Sequence, residues 1–379
     1  MPGKNTTERV TLRHVAELAN VSIASTSTVL SGLTNSTRVP KATSDRIWAA
    51  ARTLGYEKRG HGSGGEAGVG PKRRLLHVGV ITEYDAALSS PAGERNPWGH
   101  DVSTALELKL SEQGAARVSY FNRRVPNAPP VPVDEAASAL LSKNVDALVL
   151  VYFGPSTLLT DQIPVFEAAG VPYVFVSPHA LSAPVANIYY DNRAAGFAAG
   201  MHLIEMGHRG ITFLAPVDPD WASARIEGVA DAIRAFRLPP DTLNVYPGER
   251  PQCTPAQLWT TADGYAGAVR TIAEAGIVSG QIAPAVIALN DEAALAFLDV
   301  VRAAGRAADF AVMGFDDMPE ARFEGLTTLR PPREAMGREA ADLILKMCRR
   351  QKARKQICLL SDLVARASTL DVEQRTQGG

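Results

Sequence analysis

From Leu75 onward the chain repeats one rhythm: a short apolar run, a loop, then an amphipathic stretch. The runs LLHVGVI, ARVSYF, DALVLVYF, PYVFVS, GITFLAP, AVIAL and DFAVMGF are rich in Val, Ile, Leu and aromatics. A strand that is apolar at nearly every position must be covered on both faces, the condition of a parallel sheet flanked by crossover helices. Stretches such as Asn192 to Met206, stopped by Gly207, supply that cover. Roughly 300 residues exceed what one such sheet organises, so the rhythm predicts two α/β lobes.

Residues 11–56 follow a different period. Leu12, Val15, Ala16 and Ala19 stand at i, i+3, i+4 and i+7 behind Thr11, a fitting N-cap. Asn20-Val21-Ser22 breaks the pattern, and Ser22 can cap a second short helix, Ile23 to Leu30. A third begins near Pro40 and carries Ile47, Ala51 and Leu54, with Gly55 suited to the position after its end. The glycine-rich stretch 60–70 then reads as a flexible linker. Gly60, Gly62 and Gly65 match the dinucleotide pattern GxGxxG. That pattern needs a strand before it and a helix after it, whereas here the order is reversed.

Charge divides the chain in the same place. Residues 1–74 carry 12 Lys+Arg against 5 Asp+Glu, and the remainder carries 27 against 35. A basic head on an acidic body suits a polyanionic partner for the head. The start lacks an apolar signal core, and no apolar run is long enough to span a bilayer, so no membrane role is expected. Cys253, Cys348 and Cys358 fit neither a disulfide framework nor a zinc site, so a reducing cytoplasm is the expected compartment.

Two short helices joined by a tight turn can set the second helix in the DNA major groove. In the predicted second helix, Thr26, Val29 and Leu30 would face the third helix, leaving Ile23, Ala24, Ser25, Ser27 and Thr28 outward. Small hydroxyl and apolar residues suit a groove, where hydroxyls meet phosphates or base edges and aliphatics meet thymine methyls. Periodicity alone fits a generic three-helix bundle equally well. However, VTLRHVAELANVSIASTSTVLSG, with TSDRIWAAARTLGY behind it, resembles the headpiece of the LacI/GalR family.

The resemblance implies base reading by Ile23, Ala24 and Thr28. It implies phosphate contacts by Thr11, Ser22, Ser25 and Thr43, and a DNA-reaching role for Arg38. Thr28 stands where many members have Arg or His, so a bidentate guanine contact is absent there. Thr26 replaces a usual buried valine. The family's hinge helix, with its minor-groove leucine, has no counterpart; Lys58, Arg59, Lys72, Arg73 and Arg74 offer phosphate contacts instead, with a solvated basic linker as the open alternative.

The body resembles the type I periplasmic-binding-protein fold of the same family. The blocks YYDNRAAGFAAGMHLIEMGHRGITFL, SARIEGVADAI, VIALNDEAALAFLDVVRAAG, FAVMGFDD, LTTLRPP and LVARAST carry the resemblance. Asn290 and Asp316 end apolar strands, on the edge where open α/β sheets bind ligands. The Arg225 fork suits sugar hydroxyls or a carboxylate, and Trp259 could stack on a ring. The resemblance implies that Arg225, Asn290 and Asp316 contact an effector, with Trp259 stacking. From the first lobe only Tyr84 is offered. An ion pair for Arg225 and Asp316, a strand-end cap for Asn290 and simple packing for Trp259 remain open alternatives.

The expected architecture is a small all-α helix-turn-helix head over 1–59, a glycine-rich basic linker over 60–74 and a two-lobed α/β body over 75–379. Lobe 1 is expected over 75–189 and 331–357, and lobe 2 over 190–330 and 358–370. The expected function is transcriptional regulation, most simply repression, by a homodimer on a pseudo-palindromic operator in double-stranded DNA. A sugar-like or nucleoside-like effector between the lobes would control it. Alternatives are an effector-independent or protein-partner-controlled regulator and, more weakly, a solute-binding protein. No Ser-His-Asp arrangement, metal-ligand spacing or phosphate loop stands out, so neither an enzyme nor a cofactor is expected.

Overall fold

The computed structural model describes residues 10–31, 40–54, 56, 75–82, 97–114, 116–123, 131–152, 156–216, 220–249 and 264–370. The expectations for Arg38, Gly55, the linker with its GxGxxG match, Tyr84 and Trp259 lie outside these residues. The chain divides into two compact units, Met1–Lys72 and Arg73–Gly379.

The first unit holds α1 (Leu12–Ala19), α2 (Ile23–Ser31) and α3 (Lys41–Leu54). Thr11 precedes α1 in extended conformation, and the His14 side chain accepts from its N–H at 3.3 Å. Asn20 ends α1 at φ 51°, a left-handed conformation that asparagine tolerates better than most residues. The Ser22 hydroxyl accepts from the Ser25 N–H at 3.1 Å, starting α2. Val15, Ala16, Ala19, Leu30, Ile47, Ala50 and Ala51 form the core, with Val29, Leu54 and Tyr56 against it. Thr26 is fully buried; its hydroxyl donates to the Ser22 carbonyl at 3.0 Å, so the polar atom at this core position is satisfied.

The second unit contains two six-stranded sheets. The first runs β11-β5-β4-β3-β1-β2, from β1 (Leu76–Thr82), β2 (Ala116–Asn122), β3 (Ala147–Val151), β4 (Tyr173–Val176), β5 (Asn187–Tyr190) and β11 (Gln356–Leu359). Every pair in it is parallel. The second runs β12-β10-β9-β8-β6-β7, from β6 (Ile211–Leu214), β7 (Leu243–Tyr246), β8 (Ala285–Ala288), β9 (Ala311–Phe315), β10 (Thr327–Arg330) and β12 (Asp362–Val364). It is parallel except at its β12 edge, which runs antiparallel to β10. Central strands β3, β6, β8 and β9 are buried at every residue.

The chain passes between the sheets three times: after β5, between β10 and the helix Arg333–Cys348, and between β11 and β12. That helix packs in the first lobe, its Met336, Ala340 and Ile344 joining Val78, Val102 and Val149. Two expected boundaries therefore move. Tyr190 closes a strand of the first sheet rather than opening lobe 2. Cys358 and Leu359 likewise pair with Tyr189 and Tyr190, in lobe 1.

The helices Asn192–Glu205 and Asp220–Ala235 approach through glycines. A Cβ added to Gly196 would lie 2.0 Å from the Arg225 carbonyl oxygen, and one on Gly228 would lie 2.0 Å from that of Arg193. This backbone-to-backbone contact sets where Arg225 stands.

Candidate DNA-reading face and effector site

On α2, Ser22, Ile23, Ala24 and Ser27 are exposed, with Ile23 at 49 %, while Ser25 and Thr28 are half-buried. An exposed isoleucine on a short helix is costly in water and apt for a thymine methyl. Two of the hydroxyls already have local partners. Ser22 caps the helix and lies 2.9 Å from the Ser25 hydroxyl, and Thr28 donates to the Ala24 carbonyl at 2.9 Å. Thr43 is half-buried in the first turn of α3, its N–H on the Pro40 carbonyl. Trp48, 47 % exposed on α3, was not among the expected contacts.

In the body, Arg225 and Asp316 meet at the carboxyl edges of the sheets, with partners the sequence reading did not name. Arg225 is 2 % exposed. Its Nε donates to Asn192 Oδ1 (2.9 Å), Nη1 to the Leu289 carbonyl (2.6 Å) and Nη2 to the Tyr190 hydroxyl (3.0 Å). Its guanidinium carbon lies 4.4 Å from the Trp221 ring centroid and 4.1 Å from that of Phe315. Three of five N–H groups are thus committed.

Asp316 follows β9 with φ 115°, and Asp317 follows it with φ 49°. Two successive non-glycine residues at positive φ are strained, and the surroundings hold them there. Burial pushes the Asp316 carboxyl above its ordinary range, against the pull of Arg225, Arg333 and the Trp98 indole. The Trp98 N–H donates to Asp316 Oδ1 at 3.3 Å, and Trp98 stacks on Tyr190 with centroids 5.1 Å apart. Arg333 donates to the Asp316 carbonyl and, at 2.9 Å, to Asp101 Oδ2. Trp98 and Asp101 belong to the helix Pro97–Glu112 of lobe 1, so these contacts cross from one sheet's edge to the other's.

Asp317 belongs to a structural knot. Burial alone would raise its carboxyl. Hydrogen bonds and charge from Arg366 and Arg330 outweigh that and hold it below the usual range. Asp291 is fully buried and raised well above its ordinary value, first by burial and then by Asp316. Asn290 caps the helix Asp291–Ala303, its Oδ1 accepting from the Ala293 N–H at 2.9 Å. The strand-end cap is therefore real. Trp98, Tyr190, Trp221 and Arg333 were missed, although YYDN sits inside a quoted block and marks Tyr190.

Among the described residues, no group of three or more His, Cys, Asp or Glu is placed to hold a metal ion. No helix there is long and apolar enough to cross a membrane.

Residues 11–58 match the family of bacterial regulatory proteins known as the lacI family, and residues 201–369 match the periplasmic binding protein-like domain. The head is a LacI-family DNA-binding domain. The chain is 29 % identical over 352 residues to the HTH-type transcriptional regulator CelR of Thermobifida fusca, covering 89 % of itself and 91 % of CelR. It is 27 % identical over 367 residues to the regulator MalR of Streptomyces coelicolor, covering 94 % and 96 %. A solved CelR–cellobiose complex aligns with TM-score 0.58 at 27 % identity, covering 95 % of this chain and 100 % of that one. The lac repressor dimer bound to operator and the anti-inducer ONPF aligns with TM-score 0.58 at 23 % identity, covering 96 % and 100 %, a likeness of fold. The architecture is accordingly a LacI-type helix-turn-helix head with a two-lobed α/β body, and the protein is a DNA-binding transcription regulator.

Proposed function

We propose that this regulator is a cytoplasmic homodimeric repressor whose heads grip a pseudo-palindromic operator and whose effector is a sugar or sugar derivative held between the lobes. The observation that carries the effector reading is the Arg225–Asp316–Trp98–Tyr190 cluster. It offers guanidinium N–H groups, a carboxylate and an aromatic surface, the three elements that recognise a hydroxylated ring with an apolar face. CelR, which matches this chain over 352 residues, is solved in a complex with cellobiose.

Control follows from competition at Asp316. Trp98 of lobe 1 donates to the Asp316 carboxyl of lobe 2. A hydroxyl donated to Asp316 would displace the indole, so ligand would exchange one cross-lobe contact for another and shift lobe closure. Such a shift typically couples to DNA affinity by about 1–3 kcal/mol. On the DNA side, Ile23, Ala24 and Thr28 would read bases, with Thr11, Ser22, Ser25 and Thr43 on phosphates. Asn290 would contribute its amide N–H groups to the effector. Arg38, Tyr84 and Trp259 keep the roles that the resemblance implies.

The test is thermal-shift screening of disaccharides, monosaccharides, sugar phosphates and nucleosides, since a ligand that binds only the folded state raises the midpoint. A carbohydrate hit that also changes operator affinity supports the proposal. A nucleoside hit alone would reassign the effector class. A carbohydrate hit lost in Trp98→Phe and Asp316→Asn together would tie it to this cluster.

A further inference from the structure

The acidic body carries one strongly basic segment. Lys346, Arg349, Arg350, Lys352, Arg354 and Lys355 fall within ten residues that contain no acid. All six side chains are exposed, and none makes an ion pair among the described residues. The helix Arg333–Cys348 ends here, with Arg349 as its C-cap and Arg350 at φ 55°. Cations in a helix's last turn are favoured by its dipole, which accounts for Lys346 and Arg349. Lys352, Arg354 and Lys355 lie beyond that turn, where the dipole no longer reaches them. Six like charges so close repel one another unless a polyanion meets them.

The topology says which polyanion. All strands of the first sheet are parallel, so their amino ends share one edge. Lys355 immediately precedes β11, and exposed Lys143 lies in the turn before β3. On this edge the Asp146 carboxylate accepts from the His77 N–H at 2.9 Å. The effector cluster lies at the opposite, carboxyl edge. Leu75, where the chain coming from the DNA-reading head enters the body, immediately precedes β1 on this same basic edge. The last residues before it, Lys72, Arg73 and Arg74, add to the charge in sequence.

We propose that the Lys346–Lys355 segment is a second DNA contact of the body, gripping backbone phosphates outside the bases read by the head and independent of sequence. The inference rests on the operator-binding reading. Phosphate contacts add affinity through counterion release without adding base preference, and each contributes about 0.9 to the slope of log affinity against log salt. Three contacts from six side chains would add about 2.7. Raising salt from about 50 to 200 mM would then cost the wild type about 40-fold more affinity than a variant without them.

The test uses the full chain and its selected operator in two duplexes, one ending at the head-read half-sites and one extended by about one helical turn on each side. The variants are Arg349→Gln/Arg350→Gln/Lys352→Gln/Arg354→Gln/Lys355→Gln and the milder Lys352→Gln/Lys355→Gln. The wild type is expected to bind the extended duplex at least tenfold tighter at low salt. The five-site variant should match the wild type on the short duplex, lose the gain from extension and show the shallower slope, with the two-site variant between them. Equal extension gain and equal slope in wild type and both variants overturn the inference while operator binding stands; an acidic protein as the true occupant would give that result. A wild type with no operator preference overturns the functional reading and this inference with it.

Discussion

Replacing Arg225 separates its structural share from its ligand share. The side chain supplies a charged donor to three acceptors, on Asn192, Leu289 and Tyr190, whose residues are 5 %, 0 % and 3 % exposed. Water cannot readily replace it at any of the three. An acceptor left dry costs about 1–1.5 kcal/mol toward the low end of the usual range, so three give about 3–4.5 kcal/mol. Lost packing between Trp221 and Phe315 adds to this. Relief of a buried charge, partly balanced by Asp316, subtracts from it. Arg225→Ala is therefore expected to destabilise the body by about 3–5 kcal/mol. Arg225→Lys, able to serve one or two acceptors, should lose about half as much and stay folded but blind to ligand. Urea unfolding followed by far-UV circular dichroism reads both, provided the slope is unchanged. An Arg225→Ala protein within about 1 kcal/mol of wild type would refute the reasoning, because three buried acceptors cannot lose a charged donor at so little cost.

Further outcomes follow from the same contacts. Asp317 is held below its ordinary value, so its stabilisation is present above the unfolded carboxylate range and lost as pH falls through the folded one. Asp317→Asn should cost about 3 kcal/mol at neutral pH, since Arg322 and Arg330 are half-exposed, and should flatten the acid limb of a stability–pH curve; an unchanged limb contradicts it. Gly196→Ala should lower stability by at least about 2 kcal/mol in urea unfolding, despite a helix-propensity gain of about 1, because its methyl would collide with the Arg225 carbonyl; a stabilised variant would mean the helices separate freely. Thr28→Arg should change base preference at one operator position in a binding-site selection, and an unchanged motif would count against α2 as the reading helix.

Most strands legible in the sequence were buried on both sides, although β2 was legible as ARVSYF at a partly exposed edge. β3, β6, β8 and β9 hold apolar residues throughout, so their pattern needs no knowledge of their neighbours. β5, β7, β10, β11 and β12 went unread as strands. They have three or four residues each, and β7, β11 and β12 are edge strands with partly exposed faces whose pairing comes from a distant partner. The lobe boundary at 358 slipped for that reason, since Cys358 is defined by Tyr189 across the sheet. In the head, caps at Thr11 and Ser22 and the period of Val15 and Ala19 are local, and were legible. At the effector site, Arg225 and Asp316 were visible from strand ends. Trp98 and Arg333 reach them from 218 and 17 residues away in sequence, contacts that local spacing does not encode. Asn290 kept two readings because a strand-end asparagine and a helix N-cap share one position.

The central claim is that effector held at the Arg225–Asp316 cluster governs how the heads hold an operator. The most direct measurement is operator affinity of the purified full chain, by fluorescence anisotropy on its selected duplex, with and without the carbohydrate found by thermal shift, in wild type and Asp316→Asn. The account predicts a change of about 5- to 150-fold in wild type and none in the variant, with ligand-free affinities equal. Wild-type affinity indifferent to a carbohydrate that demonstrably binds the cluster would contradict it.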